Sequence, residues 1–457
     1  MVGIFVNTCI KLGEINFGSY DKIDKIEFAW EYKLKINSIP VANEVLFGKY
    51  FNQPLISRNG KRRLLSDSIK RVKFSVNFNQ PIDLLSDNIE SLILLNQNYS
   101  HSILNLPKNL LSLEYRGDKC LKNLPVSLKM ISIYLTKKQG VNWIKRLKNL
   151  ESLTIRFLEY FYINRLYPIK KISISFDYDE MRFNFEMIRE GVEELTLEEG
   201  FQSSIGKIPE SVKKLCIFEN MYDSNICNLK DTKLEYLEIC STVFNQDLDG
   251  YLPNTLRELN ISDSEHFDRK LDNLPSKLDK LTLGWLNLFN NSLDNLPLLT
   301  ELDIDLFDYD KELNFLPFSL VKLRIRINVS VKLDNLPPIK KLSIEFNEEF
   351  IEFNYQNLPE SIETLLLGNF SHDIKKNMAR NASIRLPNNL KILGPGCSVC
   401  SSGICGSDFR FNNKIKYLPE SVEYIILGRD YLYIDKLRKF PVKIIENWEE
   451  INRMNFW

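Results

Sequence analysis

Histidine is nearly missing from this chain. There are three, His101, His266 and His372, among 457 residues, which leaves little material for imidazole-based acid–base or metal chemistry. An excess of charge of one sign is also missing. Lys plus Arg number 60, as do Asp plus Glu, and that balance argues against a general nucleic-acid binder, whose surface would be basic over wide areas. No apolar run approaches the roughly 18 residues needed to cross a bilayer, so no membrane association is expected. The start of the chain has no basic n-region and no A-x-A-like site, so no signal peptide is expected. The eight cysteines do not form the dense, regular framework of a small secreted domain: five are scattered and three are clustered. Reduced thiols and a cytoplasmic setting follow. P-loop, dinucleotide-binding, H-E-x-x-H and G-x-S-x-G motifs are all absent, so no catalytic residue and no cofactor is assigned. With hydrophobic residues at 44% and charged residues at 26%, the composition is that of a folded protein.

What is present is a repeat. In Leu418-Pro419-Glu420-Ser421-Val422-Glu423-Tyr424-Ile425-Ile426-Leu427, with Leu418 as offset 0, apolar residues fall at offsets 0, 4, 7 and 9, with Pro at 1. The phrase recurs from Leu106, Leu124, Ile208, Leu252, Leu274, Leu316 and Leu358. Copies one residue tighter start at Leu147, Leu166, Leu296 and Leu336, and copies without Pro start at Leu65, Leu85 and Ile188. Twelve of the 18 prolines occupy offset 1, a concentration that chance does not produce. The same phase fits Leu12, Ile15 and Phe17, then Ile23, Ile26 and Phe28, and near the end Val442, Ile444 and Ile445. About twenty coils result, which suits a solenoid.

Offsets 7 and 9 have the period of a strand, so their side chains share the inward face while offsets 6, 8 and 10 face outward. Pro at offset 1 has no N–H to give and belongs in a turn before the strand. One coil cannot bury its apolar face alone. Stacking pairs the short strands in parallel and satisfies their backbone groups.

The Leu-x-Leu strand phrase after Leu-Pro resembles short leucine-rich repeats. Phe51-Asn52-Gln53-Pro54-Leu55 and Phe78-Asn79-Gln80-Pro81-Ile82 resemble the FNIP repeat, a relative found in slime moulds and mimivirus-type giant viruses; Phe244-Asn245-Gln246-Asp247-Leu248 is a decayed copy. The resemblance implies a leucine-rich-repeat solenoid, α/β to mainly β, with a parallel sheet on one face and a mostly irregular convex side. Many members carry an F-box. Here the repeat phase already runs at Leu12, and a scaffold without that module is expected. The organisation expected is a single elongated solenoid: degenerate coils over 1–38, repeats over 39–427 with insertions at 368–385 and 394–417, and a C-terminal cap over 428–457.

Among candidate sites, His101 and His266 read as exposed surface residues. Outward Glu301, Asp303 and Asp305 align with outward Lys322, Arg324 and Arg326 of the next coil, so the spacing predicts exposed ion-pair rungs and not a free acidic strip. Offset 6 alternates in the same way through Glu258, Lys280, Glu301 and Lys322. Cys397, Cys400 and Cys405 lie in a Gly/Ser-rich interruption, and stacking would bring His372 near them. A zinc site, a labile disulfide and a plain surface loop are the three readings of that cluster. A helical insert is expected around His372–Arg380. The function expected is a non-enzymatic protein–protein interaction scaffold, in the giant-virus case a host-directed adaptor in the host cytoplasm. A structural or virion-associated protein, then a metal-dependent enzyme, are the alternatives.

Overall fold

The computed structural model describes residues 3–6, 23–33, 36, 39–56, 63–119, 121–135, 142–157, 169–177, 183–306, 309, 311, 313, 315–327, 335–346, 358–368, 386–394, 418–426, 435 and 438–445. The inward pairs predicted from offsets 7 and 9 become strand residues. Leu259 and Ile261, Leu281 and Leu283, and Leu323 and Ile325 are all buried. The chain divides into two compact units, Met1–Phe201 with Lys207–Val212, and Gln202–Gly206 with Lys213–Trp457.

The first unit carries ten described strands. They are β1 (Gly3–Val6), β2 (Ile23–Phe28), β3 (Ala42–Leu46), β4 (Arg71–Phe74), β5 (Ser91–Leu94), β6 (Ser112–Tyr115), β7 (Met130–Leu135), β8 (Ser152–Phe157), β9 (Lys171–Phe176) and β10 (Glu194–Leu197). Each pairs in parallel with its neighbours in sequence, from β1–β2 to β9–β10. The second unit carries eleven: β11 (Lys214–Phe218), β12 (Tyr236–Cys240), β13 (Glu258–Ser262), β14 (Lys280–Leu286), β15 (Glu301–Leu306), β16 (Lys322–Ile327), β17 (Lys341–Phe346), β18 (Thr364–Gly368), β19 (Ile392–Gly394), β20 (Tyr424–Ile426) and β21 (Lys443–Ile445). They too are parallel, from β11–β12 to β20–β21. Helical structure among the described residues is mainly short 3-10 turns, as at Asn142–Arg146 and Cys227–Asp231.

One boundary comes out differently from the sequence phase, and the other follows it, with Ile444 and Ile445 on β21. The strand next to β2 is β1, with Gly3 opposite Lys25, whereas the phrase at Leu12, Ile15 and Phe17 lies outside the described residues. At the other end, the stretch expected as a cap contributes β21, in register with β20.

The turn before each strand explains the phrase itself. The carbonyl of the offset-1 proline accepts the N–H of the offset-4 residue, as from Leu256 to Pro253 (3.0 Å), Leu278 to Pro275 (3.0 Å) and Leu320 to Pro317 (3.1 Å). Proline needs no N–H of its own at that position. A hydroxyl at offset 3 then ties the turn to the coil before it. Thr255 Oγ1 donates to Leu234 O (2.6 Å), and Ser361 Oγ to Ile339 O (2.8 Å).

Aromatic rings form a second stacked row inside each unit. In the second, Tyr222, Phe244, Phe267, Phe289 and Tyr309 stack at centroid spacings of 6.1, 6.0, 6.1 and 6.3 Å. In the first, Phe51, Phe78 and Tyr99 stack at 5.8 and 6.4 Å, against the strand row Phe47 and Phe74. After Phe51, Phe78, Tyr222 and Phe244 the next residue links coils through its side chain. Asn52 Oδ1 accepts the Asn79 N–H (2.8 Å) and Asn79 Oδ1 that of Ser100 (2.9 Å). Asp223 and Asn245 do the same for the N–H groups of Asn245 and Asp268. The Phe-Asn signature is therefore one stacked ring plus one coil-to-coil hydrogen bond. Its geometry persists where the letters have drifted to Tyr222-Asp223.

Candidate interaction surface

Offsets 6, 8 and 10 form the outward face of the strands. In the second unit the predicted rungs are present: Lys322–Glu301 at 2.6 Å, Arg324–Asp303 at 2.9 Å, Arg326–Asp305 at 2.8 Å and Lys280–Glu258 at 3.9 Å. The Lys280–Glu258 rung is exposed as predicted, and the other three are less exposed than the spacing alone predicts. The Arg326 and Asp305 side chains are only 13% and 17% exposed. Beside Arg326 stands a bulge in β14 between Leu283 and Leu286. It places Trp285 in the left-handed region (φ 55°), with the Arg326 guanidinium 5.9 Å from its ring centroid. Burial pushes the Asp303 carboxyl above its ordinary range against the opposing pull of Arg324. Lys322 stands beside Lys341; burial and then that like charge hold the Lys341 ammonium below its ordinary value.

Next to these rungs, β11 to β13 hold a polar network around a carboxylate. Glu238 accepts from the Tyr236 hydroxyl (2.7 Å), Asn260 Nδ2 (2.8 Å) and, at 3.6 Å, the buried Cys216 thiol. Cys240 donates to Asp263 Oδ2 at 3.0 Å. Burial, then that carboxylate, push its thiol up to about 12, which leaves it protonated and weakly nucleophilic at neutral pH.

The outward face of the first unit differs. Ser132, Thr154, Ser173 and Thr196 occupy one row on β7 to β10, so the surface there is low and hydroxylated. Tyr134 lies between Arg116 and Arg156, 5.3 and 5.7 Å from its ring. Arg116 pairs with Glu114 (2.8 Å), and Arg156 with Asp177 and Glu199.

The other predicted site residues separate. His101 is half-buried and not exposed, because its Nε2 lies 3.1 Å from Asn79 O and its ring packs edge-on against Tyr99. His266 is exposed, as expected. His372, Cys397, Cys400, Cys405 and the insert around His372–Arg380 lie outside the described residues. Among the described residues, no group of three or more His, Cys, Asp or Glu is arranged to hold a metal ion. No helix among them is long and apolar enough to cross a membrane. Sequence reasoning missed the exposed apolar side chains. Trp285 is 59% exposed, and Leu298, Phe315 and Phe318 stand out from the turns before β15 and β16, Phe318 at 76%. Their signal was available: Leu298 and Phe318 directly follow the offset-1 proline, outside the buried offsets.

No family model and no curated protein matches this chain. Among solved structures it is similar to the novel circular LRR protein CroV588, at 20% identity over 93% of this chain and 76% of that one, with a TM-score of 0.52. At that identity the likeness is one of fold, and the repeat described above is of the leucine-rich type.

Proposed function

We propose that this chain is a non-enzymatic protein–protein interaction scaffold of the FNIP type that binds its partner on the outward strand face and acts as an adaptor in the cytoplasm, the host's if the protein is viral. Leucine-rich-repeat solenoids typically serve as such scaffolds. The observation that carries the reading is the exposure of large side chains on outward strand faces, Met130 in the first unit and Phe218 and Trp285 in the second, where the charged rungs are already internally paired. Neutralised rungs exclude competing charged ligands, while exposed aromatic and thioether groups supply contact area. The stacked ring and coil-linking Asn of the Phe-Asn segments support the FNIP assignment.

The test is crosslinked capture of the tagged full-length chain from its host cell, with identification of what is captured. Capture should be lost in Met130→Glu or Trp285→Ala and kept in Lys108→Ala, which alters an exposed residue in the turn before β6. Capture that is indifferent to both outward substitutions would overturn the reading.

A further inference from the structure

The outward row at offset 10 changes height along the second unit. Phe218 on β11 lies opposite Cys240 on β12, Cys240 opposite Ser262 on β13, and Ser262 opposite Gly284 on β14. Trp285 rises from the bulge directly after Gly284. The row therefore reads large, small, small, none, large. It makes a trough floored by Cys240, Ser262 and Gly284 and walled by Phe218 and Trp285. β11 and β14 are three strand spacings apart, about 14 Å, which is wide enough for one extended chain. Trp285 is drawn toward Arg326, on the far side of the trough. A Cβ on Gly284 would stand 3.3 Å from that of Ser262, so a larger residue there would crowd the floor.

The margins are acidic. The turn after β13 runs along β14, with the Asp263 N–H donating to Gly284 O (2.9 Å) and the Leu288 N–H to Glu265 O (3.1 Å). It thus sets the exposed Asp263 and Glu265 beside the trough. Glu238, on β12, adds a third carboxylate. It accepts from a hydroxyl, an amide and a thiol. Among the described residues, no cation forms a salt bridge with Glu238, Asp263 or Glu265. The cations on the same strands are engaged at offset 6: Lys280 with Glu258 (3.9 Å) and Lys214 over the Tyr236 ring (4.2 Å). A non-glycine residue held at positive φ at the trough edge is the kind of strain that persists where a side chain has a task.

We propose that this trough docks a basic, extended segment of a protein partner, with an Arg or Lys side chain laid against Trp285 and bound by Asp263 and Glu265. The ring already attracts one guanidinium, that of Arg326, which is the interaction the partner's cation would repeat on the exposed part of the indole. The proposal rests on the scaffold reading and names the chemistry of its partner.

The test is fluorescence anisotropy of labelled hexaarginine against the full-length chain, with hexaglutamate as the opposite-charge probe. Hexaarginine should bind and hexaglutamate should not. The double variant Asp263→Asn with Glu265→Gln, both at exposed positions, should weaken binding about tenfold, and Trp285→Ala about thirtyfold. Glu151→Gln with Glu193→Gln, an equal charge change in the first unit, should leave it unchanged. The proposal is overturned if hexaarginine does not bind, if hexaglutamate binds equally, or if the first-unit pair weakens binding as much as the trough pair. Should Trp285→Ala lower the melting midpoint, the carboxamide pair alone decides. If partner capture still depends on other outward residues while hexaarginine fails, the trough assignment falls and the scaffold reading stands.

Discussion

At the scale of single residues, what matters is how far each outward side chain is withdrawn from water. Arg326 and Asp305 were legible as partners from equal offsets in successive coils. Their burial was not legible from the offsets, which also do not mark the bulge that brings Trp285 beside Arg326. An exposed pair stabilises by about 0–1 kcal/mol, whereas removing one partner of a buried pair costs about 3–5 kcal/mol. Arg326→Ala should therefore destabilise by about 2 kcal/mol, between those limits, and Lys280→Ala by well under 1 kcal/mol. Equal denaturation midpoints for the two variants would contradict this difference. Cys240 gives a second prediction. Its pKa is raised from 9.0 to about 12, by burial and then by Asp263, so the fold favours the neutral thiol. Below pH 9 the thiol is neutral in both folded and unfolded chains, and its share of stability is fully present. Between pH 9 and 12 only the unfolded chain ionises, and that share is lost. Iodoacetamide should label Cys240 slowly at mildly alkaline pH. Asp263→Asn should speed labelling, and Cys240→Ser should flatten the alkaline loss of stability. Mass spectrometry and melting against pH read these outcomes.

At the scale of one coil, three devices cooperate: a proline-led turn, a hydroxyl tie to the previous coil, and a strand with alternating burial. Leu281 and Phe244 represent the two inward rows, and both are fully buried. Leu281→Ala opens a cavity in the strand row and should cost about 2–5 kcal/mol; Phe244→Ala removes a ring from the middle of the stack and should cost about 3–5 kcal/mol. Ser361→Ala, losing one tie to Ile339 O, should cost about 1 kcal/mol. In urea denaturation both core variants should unfold well before Ser361→Ala, and a Phe244→Ala midpoint close to that of Ser361→Ala would show that the ring row is not core.

At the scale of the whole molecule, each described strand pairs only with its neighbours in sequence within its unit. Stability is then close to a sum of coil terms and nearest-neighbour terms. Leu281→Ala should lower amide-exchange protection in β13, β14 and β15 while leaving β4 to β6 unchanged. A uniform loss across all strands would instead mean global cooperative unfolding. The exposed aromatic sites belong to this scale as well, because Phe218 and Trp285 acquire a common role only when β11 to β14 stand side by side.

The repeat was readable from the chain alone because a period of two within each strand, and a recurring proline before it, are consequences of local geometry that every coil must meet. Inward Leu and Ile, the parallel register and the pairing of Asp303 with Arg324 follow from that phase alone. The shallow trough, the half-buried ion pairs, the half-buried His101 and the continued role of Tyr222-Asp223 in the Phe-Asn ladder do not. Each depends on side chains from coils about 20 residues apart meeting at strand spacing, and on one bulge whose extra residue no pattern of apolar letters marks. Periodicity specifies which way a side chain faces. What it faces is settled only when the neighbouring coils are in place.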